Sequence, residues 1–180
     1  MKVEFIPINY HDLKDCAIIA RWYNDPELNY LITPNFSPQA LPPVTAESIQ
    51  SSHLYSAYEK YAYFILCDGA IIGDVSLVEH PDYLYDATHH SAWLGIMIAS
   101  PSHRGQGIGK QAMAYIEDKA YLLGFRRIEL GVFAFNTPAI RFYEKCGYRY
   151  IGRIPHATFV KGSWYDDLRY EKFLTDNNQG

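Results

Sequence analysis

Residues 91 to 124 read SAWLGIMIASPSHRGQGIGKQAMAYIEDKAYLLG, and the order of residue types within them decides the fold. Ser91 to Ala99 is a nearly unbroken apolar run of strand length, as suits a strand buried on both faces. Gly95 in its middle marks a bulge or a close backbone approach. From Gly107 the period changes: Ile108, Ala112, Ile116, Ala120 and Leu123 fall on one helical face, and Gly124 closes the helix. Between strand and helix stands Arg104-Gly105-Gln106-Gly107-Ile108-Gly109-Lys110. Its glycines at alternate positions remove every Cβ from one edge of the turn, so backbone N–H groups of residues 105 to 109 can converge on an anion at the helix N-terminus. That is a phosphate cradle. Glycines serving only to loosen the turn would cost about 1 kcal/mol each in a first helical turn, with nothing to offset the loss.

Spacing narrows the phosphate ligand. A Walker loop needs Ser or Thr after Gly-Lys, and here Gln111 follows Lys110 while Arg104 stands where the first Gly belongs. A dinucleotide fingerprint needs a third Gly after two intervening residues, which Lys110 spoils, although Glu129 lies at a tolerable distance for a ribose partner.

Outward from this core, Arg127 to Phe133 reads as a strand. A helix follows with Thr137 as its cap and Pro138 at its first position, running to Cys146 and stopping at Gly147. On the N-terminal side, Lys2 to Ile6 alternates as a strand, and about Asp12 to Tyr23 forms a helix that Asn24-Asp25-Pro26 ends. Four prolines between Thr33 and Pro43 make a surface loop. Thr45 caps another helix, with Ser48 at the capping-box position. Tyr61 to Cys67, the turn Asp68-Gly69 and Ala70 to Val78 form a hairpin. Residues 79 to 90 form a polar connection, and Tyr148 to Phe159 with Trp164 to Phe173 close the chain as a hairpin around Lys161-Gly162-Ser163. The expected fold is α/β, a mixed twisted sheet of about seven strands with helices on both faces.

The chain has 180 residues, one domain's worth, with no internal repeat or linker. Hydrophobic residues make up 48% and charged residues 20%, which excludes a disordered or collagen-like chain. A net charge of −4 argues against binding to nucleic acid. Cys16, Cys67 and Cys146 are odd in number and far apart, so neither a disulfide framework nor a CxxC metal site can be drawn, and a reducing, cytoplasmic compartment is expected. No apolar run approaches the roughly 18 residues that would span a bilayer, so no membrane association is expected.

The pattern Arg104-x-x-Gly107-x-Gly109 resembles the acyl-CoA pyrophosphate loop of the GNAT superfamily of N-acyltransferases. A second block agrees: Asn136-Thr137-Pro138-Ala139-Ile140-Arg141-Phe142-Tyr143-Glu144-Lys145-Cys146-Gly147-Tyr148 is similar to the family's Asn-x-x-Ala-x-x-x-Tyr-x-x-x-Gly-Phe segment, with Tyr148 for Phe. Trp164-Tyr165-Asp166-Asp167-Leu168 and Trp22-Tyr23-Asn24-Asp25-Pro26 resemble the branch holding ribosomal-protein N-terminal, polyamine and some aminoglycoside acetyltransferases. The resemblance implies acetyl-CoA as co-substrate, no metal, and a sheet split between its fourth and fifth strands. It assigns the cofactor to Ile96, Met97, Ile98, Arg104, Gly105, Gln106, Gly107, Ile108, Gly109, Lys110, Asn136, Ala139 and Tyr143. Backbone N–H groups of the strand Leu94 to Ile98 would polarise the thioester carbonyl, Gly95 would be the bulge that opens the split, and Tyr143 would protonate the departing sulfur.

The base is where the sequence departs from its relatives. Members carry a Glu on the fourth strand where Trp93 stands, or on the fifth where Gly131 stands, and both positions lack an acid. Glu129 remains as a weak base candidate, with Glu79, His80, Asp86, His89 and His90 behind it, and removal of the proton through a water chain is an alternative. Adjacent His89 and His90 point to opposite faces of a strand and find no third ligand, so no metal is assigned. Cys146 at a helix C-terminus is ill placed to carry an acyl group. The expected function is acetyl transfer to a primary amine by direct attack in a ternary complex. The acceptor is a protein N-terminus or a small cationic amine, drawn by the acids of Glu79 to Asp86 and Asp166-Asp167, with the proline-rich loop Asn35 to Pro43 beside them. The alternative is a non-catalytic CoA-binding regulatory module of the same fold. Monomer and homodimer both remain open.

Overall fold

The computed structural model describes residues 1–175. Strand β1 (Val3–Pro7) leads into α1 (Leu13–Tyr23), the single turn α2 (Asn29–Ile32) and α3 (Ala46–Leu54). Asp12 caps α1 by accepting from the Lys14 amide, and Thr45 with Ser48 forms a reciprocal capping box on α3. The turn α2 went unread in the sequence, because four residues are too few for a periodic signal. Next come β2 (Lys60–Cys67), β3 (Ala70–Glu79) and β4 (Ser91–Ile98), then α4 (Ile108–Leu122), β5 (Arg127–Phe133), α5 (Thr137–Lys145), β6 (Arg149–Val160) and β7 (Ser163–Phe173). Both hairpins close in two residues with positive φ, Asp68-Gly69 and Lys161-Gly162, whose backbone twist matches that of the strands they join.

The sheet order is β1-β2-β3-β4-β5-β7-β6. The β4–β5 neighbours run parallel, as the right-handed crossover through α4 requires, and the other pairs are antiparallel. Helices cover both faces. Ile108, Ala112, Met113, Ile116 and Ala120 of α4 pack with Val75, Leu77, Leu94, Ile128 and Leu130 on one side. Cys16, Ile19 and Trp22 of α1 pack with Phe64 and Met97 on the other. Alternation along β4 therefore sends Ile96 and Ile98 toward α4 and Met97 toward α1.

The feature that matters for function is the brevity of the β4–β5 ladder. It pairs Ser91 with Arg127, Ala92 with Ile128 and Trp93 with Glu129, then stops. Beyond Trp93 the strands part, leaving the β5-facing edge of Gly95–Ile98 outside the ladder. Two expectations are corrected here. Gly95 is no bulge, since β3 and β4 keep register straight through it; a Cβ there would press on the Ser76 hydroxyl at 3.1 Å, so the glycine serves a close approach. The cap of α5 is Asn136 and not Thr137, because the Asn136 carboxamide oxygen accepts from the Ala139 amide at 3.4 Å.

Candidate active site

The glycine loop lies between the open end of β4 and the first turn of α4. Gly107 holds the N-cap in the left-handed region at φ 80°, with no side chain capping the helix, so the first amides of α4 have no protein acceptor supplied from that position. A Cβ at Gly105 or Gly107 would meet nothing within 4 Å, so the space over this edge is open. Arg104 donates from Nε to the Ile98 carbonyl at 2.9 Å, which ties the residue to the end of β4 and uses one of its donors. Gln106 is fastened to the Ser102 carbonyl at 2.6 Å, and Ile108 is buried beneath the turn. Gly109 permits contact of another kind: a Cβ there would lie 3.2 Å from the Phe142 ring, so α5 rests against the first turn of α4. Open amides, an adjacent guanidinium and Lys110 in the first helical turn fit a pyrophosphate.

Helix α5 starts where β5 ends, which puts Asn136 and Ala139 at the far end of the split. Tyr143 follows on the buried face of α5, 8% exposed, its ring 6.2 Å from that of Tyr148. Burial pushes its hydroxyl far above the ordinary tyrosine range, with a smaller contribution from Cys146, so the phenol keeps its proton at neutral pH. Cys16 and Cys146 are poor nucleophiles, since burial pushes both thiols up, and Cys67 is buried.

Glu129, the base candidate, does not reach the split. It is fully buried, with Oε2 2.6 Å from Arg127 Nη2 and Oε1 3.3 Å from Arg169 Nη1. It also accepts from the Tyr85 amide at 2.6 Å and the Asp86 amide at 3.2 Å. Four donors on one carboxylate leave no oxygen for a substrate proton, so its place is structural. Arg127 continues the network to Glu171 at 2.6 Å, and Glu171 reaches Arg149 at the surface at 2.6 Å. The remaining candidates ring the closed end of the β4–β5 pair. Glu79 meets His90 at 3.4 Å, and His80 donates its amide to the Ser91 carbonyl. Asp86 accepts from Thr88 and gives its carbonyl to Arg127, while His89 and His90 pack on Phe173 and Phe125. None is brought to the open half.

What the sequence reading missed lies above Gly131. A Cβ at that glycine would stand 2.7 and 2.8 Å from the two carboxylate oxygens of Asp167 and 2.9 Å from the Trp93 ring. Asp167 pairs with Phe133 across β5–β7, and its neighbour on that face, Arg169, pairs with Gly131. Arg169 Nε donates to Asp167 Oδ2 at 2.9 Å and its guanidinium covers Trp93 at 4.7 Å. Burial pushes the Asp167 carboxyl above its usual value, and Arg169 opposes this only in part. The available signal was Gly131 itself, since a glycine inside a buried strand marks something approaching closely.

Aromatic rings surround this carboxylate. On one side Trp93 is edge-on to Tyr83, which meets Tyr58 in turn. On the other, Phe135 contacts Phe133, Tyr165 and Tyr30. Of the acids expected to line the acceptor side, Asp167 stands at the opening, and Asp166 is paired with Arg153 at 3.0 Å. Among the described residues, no three His, Cys, Asp or Glu side chains stand together as a metal site, and no helix is long and apolar enough to cross a membrane.

Residues 18–148 match the model of the acetyltransferase (GNAT) family. A spermine/spermidine N(1)-acetyltransferase of Bacillus subtilis is 28% identical over 112 residues, 62% of this chain and 70% of the relative. An aminoalkylphosphonate N-acetyltransferase of Salmonella typhimurium is 32% identical over 87 residues, 47% of this chain and 53% of the relative. Among solved structures, the spermidine N-acetyltransferase of Vibrio cholerae in complex with CoA and spermine superposes with a TM-score of 0.74 at 21% identity, covering 96% of this chain and 95% of that one.

Proposed function

The chain belongs to the acetyltransferase (GNAT) family and is an acetyl-CoA-dependent N-acetyltransferase, and from that premise we propose that its acceptor is a small cationic amine of the polyamine type. The observation that carries this reading is the mouth of the split, where the mostly buried Asp167 carboxylate is flanked by the rings of Trp93, Phe133 and their aromatic neighbours. A carboxylate draws an ammonium, and aromatic faces hold an alkylammonium chain through cation–π contacts and apolar burial. The polyamine substrates named for the Bacillus relative point the same way.

In this reading the amides of residues 105 to 109, with Arg104 and Lys110, hold the pyrophosphate. The free edge of Ile96, Met97 and Ile98, with Asn136 and Ala139 facing it across the split, holds the acyl-bearing arm. Acetyl-CoA supplies an acetyl group activated as a thioester. Backbone N–H groups of β4 orient and polarise its carbonyl, the amine attacks directly, and the Tyr143 phenol gives its proton to the departing sulfur.

The test is a panel of spermidine, spermine, an aminoalkylphosphonate and a peptide with a free N-terminus, each assayed for CoA release. The expected result is a kcat/KM for the polyamines at least about tenfold above the others, a modest margin for one charge and a few aromatic contacts. A phosphonate or peptide as best acceptor overturns the polyamine reading.

A further inference from the structure

We infer that Asp167, carried on β7, is the general base of this enzyme, standing in the space that a side chain on β5 would have entered at Gly131. The inference deepens the reading of the same site and rests on its acetyltransferase assignment. Its ground is geometric. The β4–β5 ladder ends at Trp93 and Glu129, and the next residue of the same β5 face is Gly131. At that point a Cβ would touch both Asp167 oxygens and the Trp93 ring, so carboxylate and indole converge where the strands separate. Gly131 leaves room for a carboxylate crossing from the neighbouring strand, and the side chain of Asp167 keeps 14% exposure. Asp167 thus reaches the opening, while Glu129, on the same face, is sealed below it.

The charged groups facing Asp167 are Arg169 on its own strand and Glu129 on β5. Arg169 takes Oδ2 at 2.9 Å and fixes the carboxylate plane. Desolvation, helped by the negative charge of Glu129, raises its proton affinity against the pull of Arg169, which brings a carboxylate nearer the range useful to a base at neutral pH. The step balances as follows. An incoming ammonium gives one proton to Asp167, and the freed lone pair forms the C–N bond to the acetyl carbon as the C–S bond breaks. The sulfur takes the Tyr143 proton, the new amide nitrogen gives up its second proton to restore the phenol, and Asp167 releases its proton to water.

Asp167→Asn tests this. The expected outcome is a kcat/KM lowered about 10²- to 10³-fold with every amine of the panel, within the range for removal of a general base. CoA affinity by calorimetry should stay within twofold, and the acid limb of the pH–kcat/KM profile should disappear. Moving the carboxylate back to β5, with Gly131→Asp and Asp167→Gly together, should recover at least tenfold over Asp167→Asn. Full activity in Asp167→Asn, an unchanged acid limb, or a folded but inactive swapped variant overturns the inference. A loss confined to polyamines also overturns it, reducing Asp167 to a specificity contact, whereas a common loss with a different preferred acceptor defeats the polyamine reading alone. If Asp167→Asn fails to fold, the swapped variant and the wild-type profile decide, and a wild-type kcat/KM flat from about pH 5 to 9 overturns the inference without any substitution.

Discussion

Glu129 and Asp167 share one face of the sheet, and the structure treats them in opposite ways. Glu129 sits under the closed half of the β4–β5 pair, fully buried, saturated by Arg127, Arg169 and two backbone amides. Asp167 sits at the open half, held by one guanidinium and the Val132 backbone amide and bordered by rings. A carboxylate whose lone pairs are all engaged by donors has none to offer a substrate and serves the fold. A partly desolvated carboxylate with fewer donors keeps a lone pair free and can serve chemistry. Burial alone does not distinguish the two; the count of donors does.

The sharpest way to break this contrast is Arg127→Met. It strips Glu129 and Glu171 of their shared cation inside the protein, and removing one partner of a buried pair costs about 3–5 kcal/mol. Urea unfolding should show that loss, and a change below about 1 kcal/mol would erase the distinction between the halves. Tyr143→Phe acts on the open half and should reverse the pattern, lowering kcat about 10²-fold while leaving stability within about 1 kcal/mol. Wild-type kcat would return Tyr143 to the core. The smallest effect belongs to Arg149→Ala. Arg149 reaches Glu171 from a side chain 70% exposed, and a pair so open contributes less than about 1 kcal/mol.

The sign of the pH dependence sharpens the last case. Burial pushes the Glu171 carboxyl up, but the guanidiniums of Arg127 and Arg149 outweigh it and hold it below its ordinary 4.5. A depressed carboxyl stabilises the fold above its unfolded value, and that contribution is lost as pH falls through the folded one. Thermal melts should therefore separate Arg149→Ala from wild type at pH 7 and bring them together as pH falls below 4.5 and through the depressed folded value. A gap that widens in acid would contradict the pairing.

Much of this architecture was legible because its signals are local. The change of period at Gly107, the Asp68-Gly69 turn and the Thr45–Ser48 capping box each lie within a few residues of the structure they specify. The open glycine loop between β4 and α4 was legible for the same reason. The Asp167 carboxylate at the opening was not, because its position depends on β7 lying beside β5, a pairing between Phe133 and Asp167 that no spacing along the chain announces. Glu129 read as a candidate because it shares a strand face with Gly131. That parity was right, but Arg127, Arg169 and the amides of residues 85 and 86, which seal it, come together only through the sheet and the connection folded over it.

The three-pair ladder between β4 and β5 carries a mechanical consequence. β4 travels with β3 and β5 with β7, and the two halves of the sheet are joined to each other only at one end, so they form a lever whose pivot is Ser91–Trp93 against Arg127–Glu129. From Trp93 to Ile98 the arm is about 16 Å long at roughly 3.3 Å per residue, so a rotation of about 3.5° at the pivot displaces the tip by about 1 Å. Displacements of that size at a reacting centre can cost about a hundredfold in rate. The buried Arg127 network, which reaches Asp167 through Glu129 and Arg169, is then the bearing that sets the tolerance of the active site. Its stiffness is as much a specification of the catalyst as any residue that touches the thioester.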